Sequence, residues 1–349
     1  MISFNTPAYL QNLHNAASLR FDYRGVENGD WETWRAEFCA ALESALGLPL
    51  IRAGAQDLAL APRIEDTRDF ETYTREKICI TTEPGIEIPF YLLLPKNARG
   101  PLPLVLCPHG HGRRGKETYA GDYEDENEKQ QGEDGERNLA IQAVQQGYAA
   151  IAPDVRGFWE MARREDQESG ANNSCAELQK QALMFGRTLI GERVHDMGRL
   201  LDYAATRREI DISKVVITGN SGGGTVSLFT AALDERISIA APSCYFCTFF
   251  DSIISIHHCP CNIVPGVMNL GEMWDVAGLI APRPMLAIAG RDDSIFPIQA
   301  TQRAFGHLQN IYAAQGTPNN CELFVGEGGH RYYKARVWDF VREHFAAKI

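Results

Sequence analysis

Short apolar runs punctuate the chain from about residue 76 onward. Ile78-Cys79-Ile80-Thr81 and Ile86-Glu87-Ile88-Pro89-Phe90-Tyr91-Leu92-Leu93-Leu94 flank Glu83-Pro84-Gly85. That order predicts two strands joined by a turn. Leu104-Val105-Leu106-Cys107, Tyr148-Ala149-Ala150-Ile151-Ala152, Val215-Val216-Ile217-Thr218, Ile237-Ser238-Ile239-Ala240-Ala241, Met285-Leu286-Ala287-Ile288-Ala289 and Cys321-Glu322-Leu323-Phe324-Val325 follow. Runs this apolar fit strands covered on both faces. Between them, residues 138–146 and a stretch with Val194, Met197, Leu200, Leu201, Ala204 and Ala205 on one face predict helices. Alternation of this kind specifies an α/β chain: a mostly parallel central sheet, helices on both faces and one early hairpin. Ahead of it, Trp31, Trp34, Phe38, Ala41, Leu42 and Ala45 keep helical spacing until Gly47 and Pro49. Residues 1–70 are therefore expected to be helical and irregular, an extension packed on a main domain of residues 71–349.

The strand 215–218 runs straight into Gly219-Asn220-Ser221-Gly222-Gly223-Gly224 and then Thr225-Val226-Ser227-Leu228-Phe229. Strand, G-x-S-x-G and helix in that order are the setting of a nucleophile elbow. The serine of such a turn takes a strained backbone conformation, and glycines two positions to either side let the turn close. The Gly222 N–H then opens a helix and faces an oxyanion formed beside Ser221. In a parallel sheet, sites form at the carboxyl ends of strands, and the other polar motifs fall at such ends. The strand 285–289 leads into Gly290-Arg291-Asp292-Asp293-Ser294-Ile295-Phe296-Pro297. The last strand leads into Gly326-Glu327-Gly328-Gly329-His330. An activated serine needs a base, here His330, and an acid to orient it. Asp292 and Asp293 both qualify as the acid by position. A second oxyanion donor is expected from Pro108-His109-Gly110-His111-Gly112, through backbone N–H groups of His109, Gly110 and His111.

Two motifs allow a metal. His109 and His111 are close in sequence, and Cys244-x-x-Cys247 precedes His257-His258-Cys259-Pro260-Cys261. The expectation is nonetheless no metal and no cofactor. Cys-x-Cys is tighter than the usual zinc spacing, and Cys244 and Cys247 lie in an aromatic run with Tyr245, Phe246, Phe249 and Phe250. The connection 244–280 is expected to line a substrate pocket, with Tyr245 and His258 in it and Phe158 added from the loop after 148–152.

Net charge is −11, which argues against a nucleic-acid partner. Residues 122–136 hold eight acids against one lysine, a net of −7, and read as a solvated surface loop or as a rim that disfavours anionic ligands. No apolar stretch approaches the ~20 residues of a membrane span, and no basic-then-apolar leader opens the chain. Nine cysteines, an odd number, look like reduced thiols of a cytoplasmic protein.

Taken together, Cys107-Pro108-His109-Gly110-His111-Gly112, Asp154-Val155-Arg156-Gly157-Phe158, the Gly219–Gly224 elbow, Ala232-Leu233-Asp234-Glu235-Arg236-Ile237, His258-Cys259-Pro260-Cys261-Asn262, Ala281-Pro282-Arg283-Pro284 and Gly290-x-x-Asp293-x-x-Phe296-Pro297 resemble the α/β-hydrolase superfamily over about residues 75–349. Within it the chain looks like the dienelactone-hydrolase-related, acetyl-xylan-esterase-like branch. The resemblance implies the order Ser221, acid, His330 for a triad and selects Asp293 as the acid. Dienelactone hydrolases proper carry a cysteine nucleophile where this chain has Ser221. Cephalosporin-type acetyl esterases carry Gln where it has Gly222.

The expected activity is hydrolysis of a small-molecule carboxylic ester through an acyl-enzyme, on short acyl groups of the acetyl type, including those of carbohydrates. A serine peptidase of the prolyl-oligopeptidase type shares the triad order but usually carries a large propeller or lid, for which ~70 residues are too few. A non-enzymatic ligand-binding member of the fold would usually have lost a triad residue, and none is missing here.

Overall fold

A computed structural model describes residues 4–23, 30–96 and 98–346. Of the N-terminal segment expected to be helical and irregular, residues 1–3 and 24–29 lie outside the described residues. Among those described, the strands form one nine-stranded sheet. They are β1 (Arg63–Asp69), β2 (Tyr73–Glu83), β3 (Ile86–Pro95), β4 (Leu102–Leu106), β5 (Ala149–Pro153), β6 (Ile210–Asn220), β7 (Ile239–Ser243), β8 (Met285–Gly290) and β9 (Cys321–Gly326). Their spatial order is β1-β2-β3-β5-β4-β6-β7-β8-β9. β1, β2 and β3 pair antiparallel, β3 joins β5 antiparallel, and β4 to β9 run parallel. This is the mostly parallel sheet expected, with the hairpin over β2 and β3.

The pleat splits the apolar side chains into two cores. Leu104, Leu106, Ile151, Val215, Ile217, Ala240, Met285 and Ala287 meet the helices Leu189–Ala204, Gly222–Leu233 and Ile298–Ala314 on one face. Val105, Ala150, Val216, Ile239, Ala241, Leu286 and Ile288 meet Leu139–Gln145 and Val337–Ala346 on the other. Successive residues of a strand point to opposite faces, so a run apolar at every position is what two covered faces require.

The helix Trp31–Leu46 starts on an Asp30 side-chain cap and stops at Gly47, φ 76°. Its Phe38, Leu42 and Leu46 are fully buried in the first core. Contact is close: a Cβ at Gly191 would stand 2.1 Å from the Leu46 carbonyl oxygen. The N-terminal segment thus packs on the helices of the sheet rather than standing apart. It also contains β1, a strand within the stretch read as helical and irregular. All seven β1 residues are exposed, and the strand is held by backbone pairing to β2. An edge strand that buries neither face has no apolar alternation to betray it.

No helix of the described residues is long and apolar enough to cross a membrane. All nine cysteines are free.

Candidate active site

β6 ends at Asn220, and the helix Gly222–Leu233 begins one residue after Ser221. Ser221 takes φ 58°, ψ −119°, the strained turn expected of an elbow. Its N–H donates to the Ser243 carbonyl at the end of β7 (2.9 Å). The glycines are demanded by backbone proximity. A Cβ at Gly219 or Gly223 would fall 2.2 or 2.1 Å from the Pro108 carbonyl oxygen. The first N–H groups of the helix have no acceptor inside it and carry its positive dipole end, and the Gly222 N–H is the first of them.

The loop after β4 lies against that turn. A Cβ on Gly110 would stand 2.4 Å from the Asn220 carbonyl oxygen and 3.3 Å from the Gly222 nitrogen. Gly110 is therefore the residue that lets His109, Gly110 and His111 approach the serine. The His109 side chain serves a different purpose from its backbone. Its Nδ1–H donates to the Gly110 carbonyl (2.8 Å), and its Nε2 accepts from the Val155 N–H (3.0 Å), which fixes the neutral tautomer and ties this loop to the one after β5.

Beneath both loops is a buried charge cluster. Lys116 Nζ, wholly buried, contacts Asp154 Oδ2 at 2.8 Å, Glu160 Oε1 at 2.6 Å and Glu117 Oε1 at 3.0 Å. Burial works against the ammonium, but Asp154 and Glu117 outweigh it and raise its pKa. Burial likewise opposes the Asp154 carboxylate, yet the Lys116 ammonium beside it (2.8 Å) favours the ionised form, and the carboxyl lies below the usual range. Lys116→Met would leave Asp154 buried without its cation. Removing one partner of such a cluster costs about 3–5 kcal/mol, so the urea midpoint of this variant is expected to fall accordingly; an unchanged midpoint would show that the cluster does not support the loops.

Asp293 follows β8 and His330 follows β9. His330 Nδ1 is 2.8 Å from Asp293 Oδ2. Asp293 Oδ1 accepts from the backbone N–H groups of Ile295 (2.8 Å) and Phe296 (3.1 Å). Burial alone would raise this carboxyl, but His330 and the two N–H groups hold it below the usual range. Asp292 is exposed and is fixed through its backbone, its N–H donating to the Gly328 carbonyl (2.8 Å). The competing thiol in this corner is Cys244, whose Sγ donates to the Arg331 carbonyl (3.1 Å). Burial pushes it up to about 12, so it stays protonated at neutral pH.

Ser221 and His330 open on one cavity of about 530 Å³, which His109, Gly110, His111 and His258 also line. Ser221 Oγ makes no hydrogen bond among the described residues, and such contacts often tighten only when substrate binds. His258 sits edge-on to Phe296, which in turn stacks on His330. Burial lowers the His258 pKa, and its Nδ1 has no protein partner among the described residues.

Tyr245 and Phe158, expected in the pocket wall, are packed behind it and do not line the cavity. Tyr245 is 1% exposed, wedged between Phe229 and Phe296. Phe158 is also 1% exposed and supports the rings of His109 and His111 from behind. Of the two loops expected in the wall, the 244–280 connection does line the cavity, through His257, His258 and Cys259, whereas the loop after β5 contributes no lining residue; which loop and which face meet solvent is fixed by packing. Cavity residues that sequence reading missed include Tyr119, whose hydroxyl accepts from the Asn220 N–H (3.3 Å). They also include Arg113, Arg114 and Arg137. The acidic run around residues 122–136 is in part a rim: Glu124, Asp125 and Glu128 line the cavity, and Glu128 pairs with Arg114 (2.7 Å).

The cysteines are distributed otherwise than a Cys244-x-x-Cys247 plus Cys259-x-Cys261 set would need. Cys244 stands beside Asp293 and His330. The Cys247 N–H donates to Met273 Sδ (3.1 Å) and its thiol to the Pro297 carbonyl (3.9 Å). Cys259 and Cys261 lie instead with His111 and Cys175.

Known proteins share this architecture. The Bacillus subtilis (strain 168) protein named "Putative hydrolase YtaP" is 28% identical over 251 residues, covering 69% of this chain and 77% of its own. Among solved structures, a "putative acetyl xylan esterase" from Bacteroides fragilis NCTC 9343 superposes with a TM-score of 0.76 at 19% identity, over 93% of this chain and 83% of that one. A glucuronoyl esterase from Solibacter usitatus does so with a TM-score of 0.69 at 14% identity, over 91% and 94%. Likeness at these identities speaks for the fold. The sequence profile of the Abhydrolase family matches residues 7–325, nearly the whole described chain and every segment of the site except His330, and the chain belongs to that α/β-hydrolase family.

Proposed function

We propose that the protein is a serine carboxylic-ester hydrolase with Ser221 as nucleophile, His330 as general base and Asp293 as the acid that orients it. The observation that carries this reading is the 2.8 Å contact between His330 Nδ1 and Asp293, made at the cavity onto which the strained Ser221 turn opens. With its Nδ1 proton held by Asp293, His330 presents Nε2 as the acceptor for the serine proton. Attack of Oγ on the ester carbonyl gives a tetrahedral oxyanion, which the Gly222 N–H and the N–H groups of the 109–111 loop stabilise. Collapse expels the alcohol, protonated by His330, and leaves an acyl-serine. Water, deprotonated by the same histidine, then releases the acid. Each oxyanion donor of this type is worth about 10²–10³ in turnover.

Small-molecule pockets are mostly apolar, whereas this one is lined by histidines, arginines, Asn220, Gln131 and carboxylates. Such a wall suits a polyhydroxylated alcohol moiety, and the structural neighbours named for acetyl xylan and glucuronoyl esters supply the same class of substrate. We therefore place short acyl esters of carbohydrates first. In a panel of acetylated sugars, uronate esters, simple short-chain acyl esters and aminoacyl amides, acetylated sugars are expected to give the highest kcat/KM. Preference for the amides would instead mark a peptidase. Equal, slow turnover of the whole panel by wild-type protein and Ser221→Ala would mark a binding protein.

A further inference from the structure

Three segments far apart in sequence bring soft ligands to one point beside the elbow. His111 comes from the loop after β4, Cys175 opens the helix Cys175–Met184, and Cys259 and Cys261 flank Pro260. One ligand atom from each lies within 4.8 Å of all the others. Cys261 Sγ is 3.2 Å from Cys259 Sγ and 3.6 Å from His111 Nε2. A tetrahedral zinc, with bonds of about 2.3 Å to sulfur and 2.0–2.1 Å to nitrogen, sets its ligand atoms about 3.5–3.8 Å apart. With no pair beyond 4.8 Å, shifts of about 1 Å bring the four atoms to that arrangement.

Charge provides a second, independent argument. Arg193 is 1% exposed, and no carboxylate lies within 4.0 Å of its guanidinium among the described residues. Its Nη2 meets the Arg156 carbonyl (2.6 Å) and Cys175 Sγ (3.4 Å), and its Cζ lies over the Phe158 ring, 5.3 Å from the centroid. A buried cation requires a compensating negative group. Three thiolates around a divalent ion leave a net charge of −1, which this guanidinium neutralises. Sulfur-rich donors with one imidazole select zinc over hard cations.

We propose that His111, Cys175, Cys259 and Cys261 bind one Zn²⁺ in a closed Cys₃His site. This departs from the expectation of no metal drawn from the sequence. Four protein ligands leave no open position, so the ion is structural rather than a Lewis acid for the substrate. Its consequence is mechanical. His111 turns Nε2 toward the thiols and Nδ1 toward the elbow, where a Cβ on Gly222 would stand 3.2 Å away. Zinc would therefore pin the 109–111 loop over Ser221. That positioning role rests on the esterase reading above; the metal site does not.

Elemental analysis of protein purified without chelator is expected to give about one zinc per chain, falling close to zero in Cys175→Ser and in Cys261→Ser but retained in Cys247→Ser. Because these variants could misfold, the wild-type apoprotein, prepared by chelation, is also titrated with Co²⁺. It is expected to develop the intense visible and near-ultraviolet bands of tetrahedral cobalt thiolate, with His111→Cys giving a shifted, four-sulfur spectrum. Absence of both zinc and cobalt bands in wild-type protein would overturn the proposal. So would zinc retained by Cys261→Ser, or a Cys259–Cys261 disulfide that blocks alkylation in freshly purified protein. Zinc bound by a protein with no esterase activity would sink the functional reading and leave the site standing. Esterase activity in wild-type protein that binds neither zinc nor cobalt would do the reverse.

Discussion

Ser221→Ala is expected to lower kcat for ester hydrolysis by roughly 10⁴- to 10⁶-fold, the loss seen when one member of a serine triad is removed. KM should change little, because Oγ contributes to bond formation more than to ground-state binding. The fold should be unaffected. Ser221 sits at φ 58°, and alanine carries the same Cβ into the same strained conformation, so the strain of the turn is common to both proteins. The Ser221 N–H to the Ser243 carbonyl and the close packing of Gly219 and Gly223 against Pro108 are backbone features that the substitution leaves in place. A fluorophosphonate should add to wild-type protein at Ser221 alone and leave the variant unlabelled. Turnover by Ser221→Ala within tenfold of wild type, at matched thermal stability, would remove Ser221 from the chemistry.

The second large effect separates two neighbouring carboxylates. Asp293→Asn is expected to reduce kcat by about 10⁴, whereas Asp292→Asn should stay within a few-fold of wild type. An amide at position 293 can still accept from the Ile295 and Phe296 N–H groups through its oxygen. The NH₂ group would then face His330 Nδ1. A donor there forces the imidazole proton onto Nε2, the nitrogen that must accept from Ser221, so the base is disabled while the packing survives. Asp292 has no such leverage: its side chain is exposed and its backbone N–H is what anchors the turn. Parallel kinetics with a matched melting curve decide the matter, and equal losses in the two variants would show that the acid has been misassigned.

Much of this was already legible in the chain. Strands covered on both faces must be apolar where they are covered, so β4, β5, β7, β8 and the second half of β6 announced themselves as short, largely apolar runs, whereas the polar start of β6 (Asp211, Ser213, Lys214) did not. The elbow could be read because its demand is local: a strand, a strained serine and glycines where the Pro108 carbonyl approaches. His330 and the Asp292–Asp293 pair stood out as candidates because a parallel sheet delivers the ends of successive strands to the same edge, and the family resemblance singled out Asp293. Each of these signals is carried by neighbours in sequence or by the geometry of a single sheet.

What the sequence did not carry depends on how separate segments dock. β1 is polar at all but one position and joins the sheet through backbone hydrogen bonds, which leave no hydropathy signature. Phe158 and Tyr245 belong to the expected loops but turn into the protein, while Tyr119 and the arginines of the 113–137 region turn toward the cavity; the orientation of a loop follows from what it packs on. The cysteines make the point most clearly. By spacing, Cys244 and Cys247 were the natural companions of Cys259 and Cys261. The fold sends the first pair elsewhere and supplies Cys175 and His111 from two distant connections, with buried Arg193 beside them. Periodicity determined the sheet, the local Gly219–Gly224 motif determined the elbow, and the family resemblance proposed the triad order. Only the tertiary structure decided which soft ligands meet, because that meeting is made by three loops converging at one end of the sheet and by no pattern within any of them.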